Sequence, residues 1–163
     1  TFSFNGAIGE ITADKGYQEA LVVVGDEVGR DVGGGVCQVS TTAFRAALMA
    51  GMPIGHWYPH TYRLPNYEAD GWSPGFDASI LQSGSNPDNW ADFTFENYSD
   101  DWLLVESYTW DLHVVVSIYG TSDGRDVSLD PYTIGGNAFG FNRTIYDASG
   151  DVIADRSFET YFK

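Results

Sequence analysis

The sequence predicts an α+β fold, made mostly of antiparallel β-sheet with one principal helix, at about residues 37–50, packed on it. One stretch places apolar residues at helical spacing, whereas several others are β-branched or alternate between apolar and polar residues. The 163 residues are 43% hydrophobic and 15% aromatic, which is enough apolar surface for one core. We therefore expect a single domain over residues 1–163. Because the chain starts at Thr1 without a leader, we also expect it to be a piece excised or processed from a larger protein.

The N-terminal region is predicted to contain two β elements. Phe2–Phe4 alternates between apolar and polar residues and leads into Asn5-Gly6, a dipeptide typical of tight turns. The apolar run Ala20–Val24 predicts a buried strand that ends in a turn at Gly25-Asp26.

The helix is predicted by apolar residues at 36, 39, 43, 46, 47 and 50, and Gly51 followed by Pro53 predicts its end. Prolines and tyrosines indicate loops after it, and the remainder favours strands. We expect these strands at 77–81, 92–97, 103–110 and 113–120, with a hairpin formed by 144–146 and 152–154.

The charge and the cysteine count exclude several classes of partner and site. The formal net charge is −15, with only 8 Lys and Arg residues, whereas nucleic acids and anionic membranes bind clustered cations. We expect neither partner, and no apolar run is long enough for membrane insertion. Cys37 is the single cysteine, which excludes an internal disulfide and a cysteine-based zinc cluster. We expect no metal and no cofactor.

The most unusual segment runs from residue 32 to residue 67, where acidic residues are absent. It contains Cys37, His56, His60 and two arginines, Arg45 and Arg63. The arginines are candidates for holding substrate carboxylates, with ordinary solvated side chains as the alternative.

A glycine turn before the helix suggests half of a cysteine acyl-transfer site. Gly33-Gly34-Gly35 precedes the first helical turn, which contains Cys37. Free N–H groups and the helix dipole stabilise a thiolate there, and the same amides can bind an oxyanion. The candidate residues of this oxyanion loop are Gly34, Gly35 and Gln38. A histidine would complete the site, and His60 and His56 follow. The alternative is a cysteine that is simply a small, inert, buried residue.

Several motifs together resemble one known family. They are Gly-Gly-Gly-Val-Cys-Gln-Val-Ser-Thr-Thr at 33–42, Tyr-Pro-His-Thr-Tyr at 58–62, Phe-Ser-Phe-Asn at 2–5, Gly-Phe-Asp-Ala at 75–78, and the segments 93–97 and 116–120. This set is similar to the signature of VanW domains, bacterial envelope proteins first named from vancomycin-resistance clusters. The resemblance covers most of residues 2–120.

The resemblance implies an L,D-transpeptidase that cross-links peptidoglycan stem peptides through a cysteine thioester, outside the cytoplasm. It implies Cys37 as nucleophile, His60 as base and Asp77 as orienting carboxylate. The sequence departs from the family at Tyr58, where many members have a first histidine, and at Phe76, where the family has arginine. Two alternatives stay open: an L,D-carboxypeptidase at the same site, and a non-catalytic wall-binding or glycopeptide-resistance accessory module.

Overall fold

The computed structural model describes residues 1–24, 27–84 and 86–163. The turn predicted at Gly25-Asp26 lies outside these residues. The fold is mixed α+β, and every strand pair in the described part of the chain is antiparallel. The strands are β1 Phe2–Ser3, β2 Glu19–Val24, β3 Glu27–Val32, β4 Thr94–Phe95, β5 Leu104–Trp110, β6 His113–Tyr119, β7 Asp126–Gly135, β8 Ala138–Tyr146 and β9 Val152–Tyr161.

These strands form four separate ladders in the described ranges. β1 pairs with β4, β2 with β3, and β5 with β6, whereas β7, β8 and β9 form one three-stranded sheet in that order. The strands predicted at 103–110 and 113–120 are β5 and β6. The predicted hairpin of 144–146 with 152–154 is the end of the β8–β9 pair next to the connecting turn, where Tyr146 lies opposite Val152.

The helix predicted at about 37–50 spans Val36–Met49, and we call it α2. It contacts β6 and β7, which belong to different ladders. A short helix, α1, covers Phe4–Ile8, and 3-10 segments cover Ala13–Lys15, Pro65–Gly71 and Pro87–Asn89. No helix among the described residues has both the length and the apolar character needed to cross a membrane.

Two local predictions are wrong. The turn expected at Asn5-Gly6 is part of α1, because Ser3 caps that helix by accepting from the N–H of Gly6. Residues 77–81 form no strand beyond an isolated bridge at Leu81. The backbone of Ala78 is bound instead by side chains of α2.

The core is a cluster of aromatic rings between α2 and the strands. Phe44 of α2 is fully buried and stacks on Trp57, with 5.5 Å between ring centroids. Phe141 of β8 and Phe158 of β9 stack on each other at 4.7 Å and belong to the same cluster. The C-terminal sheet therefore shares one core with the helix that carries Cys37.

Candidate active site

The candidate nucleophile lies at the start of α2. Cys37 is the second residue of the helix, and Gly35 precedes the helix with a φ of 93°, a conformation that disfavours side chains. Gly34 is required for a different reason. A Cβ at Gly34 would lie 2.4 Å from Ala20 Cβ and 2.9 Å from the carbonyl oxygen of Leu21. The glycine turn therefore holds β2 directly against the start of the helix.

Side chains in the first turns of α2 bind the segment that follows Asp77. Ser40 Oγ donates to the carbonyl oxygen of Ala78 at 2.5 Å, and Thr41 Oγ1 accepts from the N–H of Ala78 at 3.1 Å. Both side chains are buried, so these bonds are shielded from water. The helix that carries the thiol thus also fixes the backbone next to the carboxylate.

The sulfur of Cys37 lies against the same segment. The N–H of Ile80 donates to Sγ at 3.4 Å, and Sγ lies 3.6 Å from the carbonyl oxygen of Ile80. The side chain of Ser79 makes a further, smaller contribution to lowering the pKa of the thiol. These donors favour the thiolate over the thiol.

His60 joins Asp77 to Cys37. Its Nδ1 lies 2.6 Å from Asp77 Oδ2, and its backbone N–H donates to the same oxygen at 2.7 Å. Because an ionised carboxylate only accepts, Nδ1 carries the proton. Interaction with the Cys37 thiol contributes to raising the pKa of His60, and Nε2 is the ring nitrogen left available to the sulfur. The side chains of His60 and Asp77 are only 10% and 5% exposed.

Two further aromatic residues support this pair. The ring of Tyr67 stacks on the His60 imidazole, with 4.7 Å between centroids and 25° between planes. Trp57 Nε1 donates to the backbone carbonyl of Asp77 at 2.8 Å. The imidazole is therefore held at Nδ1 by a carboxylate and on one face by a ring.

The pKa shifts of Cys37 and His60 are opposite in direction. Burial raises the pKa of the Cys37 thiol, but hydrogen bonds from His60 and Ile80 and the charge of His60 outweigh burial, so its pKa is lowered. Burial lowers the pKa of His60, but bonds to Asp77 and Cys37 outweigh it and raise the pKa to about 9. The two shifts together favour a thiolate beside an imidazolium more than the free side chains would.

An open cleft of about 760 Å³ leads to this pair. Cys37 and His60 line it, together with the predicted loop residues Gly34, Gly35 and Gln38. Further lining residues come from β2 and β3, from 64–67 and from 80–84, with Trp90 at the side. Glu10 and Asp31 contribute carboxylates, and no Lys or Arg occurs among the described lining residues.

The two candidate arginines lie outside this cleft. Arg45 is half-buried, donates from Nε to the carbonyl oxygen of Phe76 at 2.9 Å and lies 4.4 Å from the centroid of Trp72. Arg63 forms a bidentate ion pair with Glu68 at 2.7 Å for both contacts. Their guanidinium groups are thus engaged within the protein.

Some residues of the site did not stand out in the sequence. Tyr67 lies among several tyrosines, and Trp57 beside His56, so neither has a distinguishing pattern. Ser40 and Thr41 had a usable signal, because residues three and four positions after Cys37 share its helix face. His56 has an exposed side chain, and neither it nor His113 lines the cleft.

Comparisons with known proteins agree with the motif reading. A family model described as VanW like protein matches residues 1–119. The chain is also 35% identical over 121 residues to "Uncharacterized protein YoaR" of Bacillus subtilis (strain 168). That match covers 74% of this chain and 36% of the Bacillus protein, so the chain spans about a third of that relative. No solved structure matches.

Proposed function

Because the chain belongs to the VanW-like family, we propose that it is a peptidoglycan L,D-transpeptidase with Cys37 as nucleophile, His60 as general acid and base, and Asp77 as orienting carboxylate. The observation that carries this proposal is the bond of Asp77 to His60 Nδ1 at 2.6 Å together with the place of His60 and Cys37, which both line one open cleft. The opposite pKa shifts support it, since cysteine acyltransferases attack as thiolates. The proposed substrate implies action in the bacterial cell envelope or outside the cell.

The first half of the reaction forms a thioester. The Cys37 thiolate attacks the carbonyl carbon of the third stem-peptide residue, and a bond forms between Sγ and carbon. As the bond from that carbon to the nitrogen of the terminal D-amino acid breaks, His60 Nε2 gives its proton to the departing amine. Cys37 is then acylated and His60 is neutral.

The second half transfers the acyl group to an amine of a neighbouring stem. The amine nitrogen attacks the thioester carbon, and His60 Nε2 accepts the proton that the amine loses. The carbon–sulfur bond breaks and restores the thiolate beside the imidazolium. Asp77 accepts a hydrogen bond from Nδ1 throughout, and this bond keeps the ring from rotating away from sulfur.

The N–H of Cys37 is suited to bind the oxyanion of each tetrahedral intermediate. In the glycine turn, the N–H groups of Val36 and Gln38 donate to the carbonyl oxygens of Gly33 and Gly35, at 3.2 and 3.0 Å. No hydrogen bond between described residues uses the N–H of Cys37. We assign the oxyanion to this group, at the positive end of α2.

Variants of the two reacting side chains test the proposal on purified disaccharide tetrapeptide. We expect the parent protein to produce cross-linked dimers, detected by mass spectrometry, and to form a covalent adduct with a carbapenem. Cys37→Ala should give neither product. His60→Gln should slow dimer formation about 10²–10⁴-fold, whereas His56→Gln, which changes an exposed histidine outside the cleft, should leave the rate unchanged.

The products also separate the proposal from its alternatives. Release of the terminal residue without dimers would show water as the acceptor and thus an L,D-carboxypeptidase. Dimers formed by Cys37→Ala would contradict the cysteine mechanism, whereas no product and no adduct from the parent protein would favour an accessory module.

A further inference from the structure

Arg45 has two backbone acceptors that both belong to the surroundings of His60. Its Nη2 donates to the carbonyl oxygen of Tyr67, and its Nε donates to that of Phe76. Tyr67 is the residue whose ring stacks on the imidazole, and Phe76 directly precedes Asp77. One guanidinium therefore connects the stacking residue on one side of His60 to the carboxylate segment on the other.

Because Arg45 lies on α2, its bonds also link the surroundings of His60 to the helix that carries Cys37. Cys37 and Arg45 lie on the same continuous helix, eight positions apart. The helix therefore fixes the sulfur at its first turn and the loop of Tyr67 and Asp77 further along. The loop between residues 60 and 77 has other contacts, such as the bond from the N–H of Lys163 to the carbonyl oxygen of Thr61, but Arg45 binds both Tyr67 and Phe76 to α2.

The surroundings of Arg45 match this role better than contact with substrate. Its guanidinium lies over the ring of Trp72 and does not line the cleft. Burial lowers its pKa to about 10, while the charges of Asp77, Tyr67 and Asp70 act in the opposite direction. A planar fork with several donors suits two carbonyl oxygens at once, which an ammonium group does not reproduce.

We propose that Arg45 is a positioning residue for the proposed transpeptidase site, which clamps Tyr67 and the Asp77 segment onto α2 so that His60 keeps its place beside Cys37. This inference rests on the proposed function. It replaces the substrate-carboxylate role expected for Arg45 with a role exerted through His60.

The rate of Cys37 alkylation by iodoacetamide, measured against pH on the whole chain, tests this role. Cys37 is the only cysteine, so the reagent reports on that thiol alone. For the parent protein we expect alkylation to begin well below the pH at which an ordinary thiol ionises. Arg45→Lys should lower the rate at pH 6.5 about tenfold and move the profile to higher pH, because His60 is no longer fixed near sulfur.

Arg143 provides a matched control. It is buried, donates from Nη1 to the carbonyl oxygen of Met52 at 2.7 Å, and burial lowers its pKa to about 10 as well. We expect Arg143→Lys to lower the melting temperature but to keep the parent alkylation profile. A purely structural effect of Arg45→Lys would behave in the same way and would overturn the proposal.

The remaining outcomes are also decisive. If Arg45→Lys changes only the KM for stem peptide and leaves the alkylation profile intact, Arg45 contacts substrate and the positioning role is wrong. If Arg45→Lys does not fold, Tyr67→Ala replaces it: loss of the ring that stacks on His60 should shift the profile to higher pH, and an unchanged profile would overturn the proposal. An ordinary thiol pKa in the parent would instead refute the proposed function itself.

Discussion

At the scale of single residues, the site depends on one oxygen atom. Asp77 Oδ2 accepts from both the ring and the backbone N–H of His60. The carboxylate therefore fixes the tautomer of the imidazole and the loop on which the imidazole is mounted. Because Asp77 is almost fully buried, replacing it leaves two donors without an acceptor in a poorly hydrated place.

The pH dependence of activity should follow from these two titrating partners. We expect the rate of cross-linking to rise as Cys37 ionises, below the usual thiol range, and to fall as His60 loses its proton near pH 9. The fall follows because the pKa of His60 is raised, so the imidazolium that protonates the leaving amine is present below pH 9 and is lost above it.

Asp77→Asn should lower the pH of that second limb, because the amide no longer stabilises the imidazolium. The rate at neutral pH should decrease by at least about 100-fold. The control is Asp100→Asn, because Asp100 is exposed, and we expect it to leave the pH–rate profile unchanged. Asp92 does not serve as a control, because it bonds to Ser3 and Asn5. A pH–rate profile of Asp77→Asn that coincides with the parent profile would refute the orienting role.

The residues of the site were predictable in unequal measure. The glycine turn and helix spacing indicate Cys37 on physical grounds, whereas His60 and Asp77 depended on the family motif. Tyr67 and Ile80 could not be found from either source. They reach the site only because residues of α2 hold the two loops together, and that pairing has no periodic signal in the sequence.

At the scale of elements, the central unit is the glycine turn between β3 and α2. Two of its demands are a left-handed φ at Gly35 and a close approach at Gly34. Both demands concern backbone conformation and packing, and neither glycine takes part in bond formation in the proposed reaction. Together they set the direction in which the first turn of α2 presents its N–H groups and its thiol.

Alanine variants should separate these demands. We expect Gly34→Ala to lower the free energy of unfolding by about 1–3 kcal/mol, because the new methyl group overlaps β2. Gly35→Ala should lower it by about 1–2 kcal/mol through the left-handed conformation alone, and Gly35→Asn by less. Urea unfolding followed by circular dichroism measures each difference.

The control for this series is Gly29→Ala, on β3. A Cβ there meets no atom within 4 Å, and alanine suits a strand at least as well as glycine. We expect its stability to equal or slightly exceed that of the parent. Equal stability of Gly34→Ala and Gly29→Ala would disprove the close packing of the turn against β2.

Several elements were predictable and several were not, for identifiable reasons. β5, β6 and α2 have clear periodicity, and the structure has them close to the predicted bounds. β3 and β7 were missed because Gly29 and Pro131 interrupt their patterns. The strand expected at 77–81 is absent because α2 side chains bind its backbone. That one principal helix packs on the antiparallel sheet stays a prediction.

At the scale of the whole molecule, the fold brings carboxylates close to a site whose own stretch of sequence has none. The sequence lacks acidic residues from 32 to 67, yet Glu10 and Asp31 line the cleft and Asp77 lies behind His60. Carboxylates from other segments therefore lie in the cleft and beside His60. Such a cleft attracts cations, and the amine acceptor of the proposed second half-reaction is cationic before it loses its proton.

Removing the cleft carboxylates should weaken binding of the acceptor. In Glu10→Gln/Asp31→Asn we expect the KM for an amine acceptor to rise about threefold to tenfold at low ionic strength, and the difference to disappear near 1 M salt. Glu96→Gln/Asp100→Asn removes the same two charges from exposed sites outside the cleft. An equal rise in both double variants would show that net charge, not the cleft, controls acceptor binding.

The packing at Gly34 has an evolutionary consequence. A larger residue often becomes acceptable after a neighbour has become smaller, and here Ala20→Gly would remove the closest contact at 2.4 Å. The other two contacts of a Cβ at Gly34 are with backbone atoms, the carbonyl carbon of Ala20 and the carbonyl oxygen of Leu21, both at 2.9 Å. Since no substitution removes a backbone atom, no single compensating change opens this position. We therefore expect random mutagenesis with selection for the folded protein to recover substitutions at Gly35 before any at Gly34.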